Sequence, residues 1–182
     1  GASVFASIAG QSRSTTRDLE AETSRVNDVI NACDALASRF DGDESEFHFP
    51  STMESLELMV GLEAQMESGA VEVHWPQGKS LSVAGHASST HFQLHIRKDR
   101  DWFAASGKLT VNKDLALDMM QLMELVSASP SRFVQLNDGR YLALTEQLRR
   151  RIEHFSAYGD LSKDKVRFPA IRAAAFQDLD ES

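Results

Sequence analysis

Apolar positions recur along the chain with two periods, and the switches between them mark its elements. From about Thr16, the residues Leu19, Val26, Val29, Ile30, Cys33, Leu36 and Ala37 return at helical spacing. Asp18, Glu20, Glu22, Arg25 and Asp28 occupy the opposite face. This predicts one long amphipathic helix, ended by Asp41-Gly42-Asp43-Glu44. Phe47-His48-Phe49-Pro50 reads as a short extended link. Ser51-Thr52-Met53-Glu54 reads as a capping box, in which Ser51 accepts from the Glu54 amide and Glu54 reaches back. The helix that follows turns Met53, Leu56, Met59, Val60, Leu62 and Met66 inward and stops at Ser68-Gly69. Its methionines read as core filler, because an unbranched thioether adapts to irregular gaps.

From Ala70 the period falls to two. Val71, Val73 and Trp75 alternate with Glu72 and His74, Pro76-Gln77-Gly78-Lys79 supplies a turn, and Leu81 and Val83 continue on a second strand to Gly85. Phe92, Leu94 and Ile96 alternate with His91, Gln93, His95 and Arg97. Charged residues Asp99 to Asp101 then reverse the chain into a strand over Trp102 to Val111. This hairpin is the centre of the predicted fold. Gly107 in mid-strand points to a bulge or a close backbone approach. Asp118 with Gln121 caps a short helix over Met119, Leu122, Met123, Leu125 and Val126. Asp138-Gly139 between Phe133–Leu136 and Tyr141–Leu144 is a hairpin signal. Thr145 caps a helix with Leu148, Ile152 and Phe155 on one stripe, closed by Tyr158-Gly159-Asp160. Val166-Arg167-Phe168 is extended, and Pro169 suits the first position of a last helix carrying Ile171, Ala174, Ala175 and Leu179 inward.

The fold class expected is α+β: an antiparallel sheet of a meander and hairpins, covered by helices, with an N-terminal amphipathic helix. Residues 1–15, small and polar, are expected as a flexible start. Residues 16–46 form the N-terminal helix and linker, and 47–182 the α+β domain. A chain of 182 residues, 42% hydrophobic and 25% charged, has enough apolar surface for a core without staples. The lone Cys33 excludes an internal disulfide and fits a reducing, cytoplasmic setting. No apolar run reaches the roughly 18 residues that span a bilayer, so no membrane partner is expected. The first ten residues lack the charged start of a secretory signal. A net charge of −8 opposes phosphate backbones overall, so any nucleic-acid contact needs a local basic patch.

Candidate chemistry is sparse. His74, His86, His91 and His95 fall in one predicted sheet region, but nothing in their spacing converges three or four ligands on an ion. They read as polar residues of an exposed face. A metal-dependent hydrolase built on them ranks last among the functional readings. Asp99 and Asp101 stand among Arg97, Lys98 and Arg100 and read as a charge-balanced hairpin end rather than an acid–base pair. Trp102 and Phe103 read as packing anchors. Arg149-Arg150-Arg151, with Lys163, Lys165, Arg167 and Arg172, makes the C-terminal part locally basic. Three consecutive arginines cannot all face inward on a helix. They read either as a solvated face or as a contact for phosphate or an acidic partner. Gly78-Lys79-Ser80 lacks the earlier glycine of a phosphate-binding loop and sits in a turn. Neither GxGxxG nor GxSxG is present.

Three segments together resemble a known series: His74-Trp75-Pro76-Gln77-Gly78-Lys79-Ser80-Leu81; Asp101-Trp102-Phe103 with Ser106-Gly107 and Val111; and the run from Arg132 through Asn137-Asp138-Gly139-Arg140 to Arg150. In order and spacing they are similar to the region just upstream of the motor in large bacterial helicase-like ATPases of the SWI/SNF family. The resemblance covers about Phe47 to Leu179. It implies a non-catalytic accessory role beside a double RecA-like motor that translocates on duplex DNA. None of the motor's functional residues has a counterpart here, so catalytic, cofactor and metal residues are expected to be absent from this chain. ATP and Mg belong to the motor expected downstream. The expected partners are that motor and possibly DNA or a protein. The candidate interaction residues are Asp99, Arg100, Asp101 and Trp102 at the hairpin end, and Arg149, Arg150 and Arg151 on the helix. A stand-alone nucleic-acid- or protein-binding module using the basic C-terminal face is the alternative.

Overall fold

A computed structural model of the protein describes residues 2–8, 11–42, 46–78, 80–99, 101–162 and 165–169. They fall into two compact units, Gly1–Ser80 and Leu81–Ser182. The fold class is α+β, with helices and largely antiparallel sheets.

The first unit opens with strands β1 (Ala2–Ile8) and β2 (Gln11–Arg17), paired antiparallel. This ladder is not announced by the small, polar composition of the segment. Helix α1 (Leu19–Asn31) is capped by Asp18, whose carboxylate accepts from the Ala21 amide at 3.1 Å. The single long helix expected here is broken. Cys33 adopts extended backbone and becomes the N-cap of a short helix α2 (Asp34–Ala37). The break turns the Cys33 side chain fully inward, beside Ile30, Leu36 and Leu62. The amphipathic packing expected of α1 is not present along its length. Ile30 alone is fully buried, and Leu19 and Val26, expected inward, are exposed.

Helix α3 (Thr52–Gly61) begins with the expected capping box. Ser51 Oγ accepts from the Glu54 amide at 3.2 Å, and the Ser51 amide donates to Glu54 Oε2 at 3.2 Å. A kink at Leu62 separates it from α4 (Glu63–Glu67). The Gly69 and Ala70 amides then return to the Met66 and Gln65 carbonyls, a Schellman stop in which Gly69 takes a φ of 73°. Val71–Trp75 forms no strand, contrary to its alternation. Val71 and Val73 are half-buried and their neighbours exposed, with Val71 against the Cys33 cluster. The alternation is matched in burial at Val71 and Val73, with no ladder beside the segment.

The second unit is built on two sheets. Strand β3 (Val83–Ala87) runs parallel to a later strand, Tyr141–Leu144, so it joins no meander. A single 3-10 turn at Ser89–His91 leads into β4 (Phe92–Asp99), which pairs antiparallel with β5 (Trp102–Thr110) from Phe92↔Leu109 to Asp99↔Trp102. This is the expected central hairpin. Gly107 is the expected close approach: a Cβ there would lie 2.7 Å from the Phe92 ring. Strand β6 (Ala116–Asp118) pairs with the C-terminal half of β5. Helix α5 (Met119–Ala128) follows, with the Asp118–Gln121 capping box in place. Strands β7 (Phe133–Gln135) and β8 (Tyr141–Leu144) form the expected hairpin. Its turn needs a residue at positive φ, and Gly139 supplies it at 85°. Helix α6 (Glu146–Tyr158), capped by Thr145, buries Leu148, Ile152 and Phe155 as its stripe predicts. Each contributes about 1.5–3 kcal/mol by leaving water. Strands β9 (Asp160–Ser162) and β10 (Lys165–Pro169) complete the larger sheet, β10 lying between β9 and the N-terminal half of β5. Pro169 therefore ends a strand. The last helix expected from it lies outside the described residues.

The sheets are β4-β5-β10-β9, with β6 also on β5, and β3-β8-β7. Helix α5 touches β5, β6 and β7 and packs on α6, so the helices bury the inner faces in one cluster. Val134, Leu142, Leu144, Leu148, Ile152 and Val166 are fully enclosed there.

Candidate interaction surfaces

The division into units changes the charge argument. Residues 1–80 hold 14 Asp and Glu against 5 Lys and Arg, whereas residues 81–182 hold 13 against 14. The acidity of the chain is therefore carried by the first unit. The second is nearly neutral, and a basic surface on it faces no large opposing field of its own.

The predicted interaction residues separate into two places on the second unit. Asp99 ends β4 opposite Trp102, Arg100 lies outside the described residues, and Asp101 is exposed in the turn. Trp102 is 36% exposed, with the Arg167 guanidinium carbon 5.9 Å from its ring centroid. The hairpin end thus offers an aromatic edge and charge. The arginines of α6 are mostly committed inside the fold. Arg149 donates to Glu153 at 2.8 Å and to the Ser129 carbonyl at 3.0 Å, and its side chain is only 14% exposed. Arg150 pairs with Glu146 at 2.9 Å on an open face, and Arg151 is half-buried. Helical i,i+4 pairing of this kind is visible in the sequence, since Glu146 and Glu153 stand four residues before Arg150 and four after Arg149.

The histidines do not converge. His86 on β3 belongs to the smaller sheet and His95 on β4 to the larger. His91 sits in the 3-10 turn rather than on the strand face of His95, and its Nδ1 accepts from the Ser88 amide at 3.1 Å. His74, in the first unit, is exposed beside Glu72 at 3.3 Å. Among the described residues no group of three metal-ligating side chains comes together.

A groove of about 350 Å³ lies between α5 and the β7–β8 turn, with Leu115, Leu117, Leu125 and Leu136 as its apolar lining. Asp114, Glu124 and the Asp138–Arg140 pair rim it. The Arg140 amide and guanidinium hold the Asp138 carboxyl below its ordinary range.

A further surface has no obvious signature in the sequence. Side chains alternate on β5, so Phe103, Ala105 and Leu109 face the core while Trp102, Ala104, Ser106, Lys108 and Thr110 face away. Directly opposite residues in a ladder share a face. Ala104 therefore lies between Arg97 of β4 and Arg167 of β10. His95 stands opposite Ser106, and Lys165 flanks it from the other side. Small residues floor the middle strand, and cationic ones wall it. Among the described residues, Arg97, Lys108 and Lys165 are exposed and make no ion pair.

No family model matches the chain, and neither the curated proteins nor the solved structures contain a significant match to it. No helix among the described residues is long and apolar enough to cross a membrane.

Proposed function

We propose that this chain is a non-catalytic accessory region of a SWI/SNF-family ATP-dependent DNA translocase, acting in the cytoplasm to position or regulate its motor. ATP and Mg are bound by that motor in this reading, and the chain contributes a docking surface. The observation that carries the reading is the ordered set of segments from His74 to Arg150 that resembles the region upstream of such motors. The longest of them, Arg132 to Arg150, forms one continuous hairpin and helix in the second unit. Docking falls to the hairpin end, where Asp101 and Trp102 are exposed, rather than to α6. Arg149 and Arg150 already hold carboxylates of their own helix, which weakens the alternative of phosphate contact there.

The test is the ATPase rate of the motor encoded beside this chain, measured with and without the chain in trans. A several-fold change in rate, lost in Asp101→Ala/Trp102→Ala, is the expected result. An unchanged rate together with no detectable association would refute the proposal.

A further inference from the structure

We infer that the open face of the β4–β5–β10 sheet is a binding surface for single-stranded nucleic acid, with Arg97, Lys108 and Lys165 on phosphates and Trp102 under a base. The inference stands on the second unit alone and does not require the accessory reading. Its first ground is charge complementarity. Four cations, Arg97, Lys108, Lys165 and Arg167, share a face on which the carboxylate positions are Asp99, Asp118 and Asp160, so the cations are in excess. Asp118 is occupied as the cap of α5, accepting from the Gln121 amide at 2.8 Å. Three of the cations have no ion-pair partner among the described residues.

The second ground is shape. Strands stand about 4.8 Å apart, so the walls on β4 and β10 are rooted about 10 Å apart across β5. Ala104 and Ser106 leave the floor between them low. One sugar–phosphate backbone can lie along a furrow of this width, whereas a whole duplex is too wide to enter it. The third ground is Trp102 at one end of it, half-open and on the same face as Arg167. Cationic walls beside an aromatic ring are the combination that holds single strands, because any unstacked base presents a π-face. An acidic protein surface would be satisfied by the cations but would make no use of the ring or the low floor.

The experiment is fluorescence anisotropy of dye-labelled oligothymidine with the full chain, titrated with salt. Three phosphate contacts predict a slope of log K against log salt near −2, at about 0.7 per contact on a single strand. Arg97→Gln/Lys108→Gln/Lys165→Gln is expected to weaken binding at least tenfold and flatten the slope. Trp102→Ala is expected to weaken it about fivefold or more with the slope retained. Arg150→Gln should change neither. Circular dichroism confirms that each variant is folded, and Lys108→Glu alone serves if the triple variant is not. Absence of binding in low salt, or wild-type affinity in the triple variant, would overturn the inference. Equal affinity for a duplex of the same length would overturn the single-strand assignment. Displacement by polyglutamate as effective as by unlabelled oligothymidine would replace it with an acidic protein partner.

Discussion

Gly61 and Cys33 offer a test of how the first unit is held together. Gly61 ends α3, and a Cβ built on it would lie 2.7 Å from the Cys33 sulfur, with the Cys33 Cβ at an ordinary 3.8 Å. The sulfur is enclosed by Ile30, Leu36 and Leu62 and has nowhere to retreat. Gly61→Ala therefore has two opposed effects. Overpacking costs about 1–3 kcal/mol, and replacing a helical glycine returns about 1 kcal/mol. The net expectation is a loss of about 1 kcal/mol. In a Cys33→Ala background the clashing atom is gone, the overpacking cost vanishes, and the same substitution should stabilise by about 1 kcal/mol. The sign reverses, and the coupling in the double-mutant cycle equals the overpacking cost, about 1–3 kcal/mol. Urea denaturation followed by far-UV circular dichroism gives the four stabilities. Cys33, the chain's one cysteine, supplies an independent readout of this unit. Its reaction with a thiol reagent requires opening, so Gly61→Ala should accelerate it about fivefold for each kcal/mol lost. Additivity within about 0.5 kcal/mol, or destabilisation in both backgrounds, would refute the packing argument.

A similar contact closes the second unit. A Cβ at Gly159 would lie 1.9 Å from Val166 Cγ1 and 2.9 Å from the Phe155 carbonyl, and Val166 is fully enclosed. Gly159→Ala should cost about 3 kcal/mol in thermal melts, recovered in part by Val166→Ala, because only the side-chain clash is relieved. Glu54 gives a pH dependence of known sign. The Ser51 hydroxyl, then the Ser51 amide and Arg39, hold its carboxyl below the ordinary range in the folded chain. Its contribution is thus complete above the unfolded value of about 4.3 and is lost as pH falls through the lower folded value. Glu54→Gln should flatten the stability profile across that acid window, and an unchanged profile would show the carboxylate to be unlinked to folding.

Much of the fold was legible because local chemistry and tertiary packing agree at particular residues. The Ser51–Glu54 and Asp118–Gln121 boxes, the Thr145 cap, the Asp138-Gly139 turn and the stripe of Leu148, Ile152 and Phe155 are interactions between residues a few positions apart. Gly107 was legible as a close approach because a strand has little other use for glycine. The failures have a common form. Val71 to Trp75 forms no strand although its residues alternate, because alternation alone does not reveal whether a partner strand exists. The helix from Leu19 breaks at Cys33, whose side chain lies in the core beside Gly61, 28 positions away, a contact that local helical spacing does not record.

The candidate surfaces divide the same way. The arginine run of α6 stood out in one dimension, yet acids at i,i+4 hold Arg149 and Arg150. Arg97, Lys108, Lys165 and Trp102 are scattered through the sequence, and only the β4–β5 and β5–β10 registers bring them onto one face. The sequence by itself determined the caps at Ser51, Asp118 and Thr145, the Asp138-Gly139 turn, the apolar stripes of α5 and α6 and the α+β class, whereas the inward stripes expected from Leu19 and from Met53 are broken by exposed Leu19, Val26, Met53 and Met66. Tertiary structure alone decided which strands pair, where the acidity is confined and which cations are left facing solvent, because those depend on pairings between residues far apart in the chain.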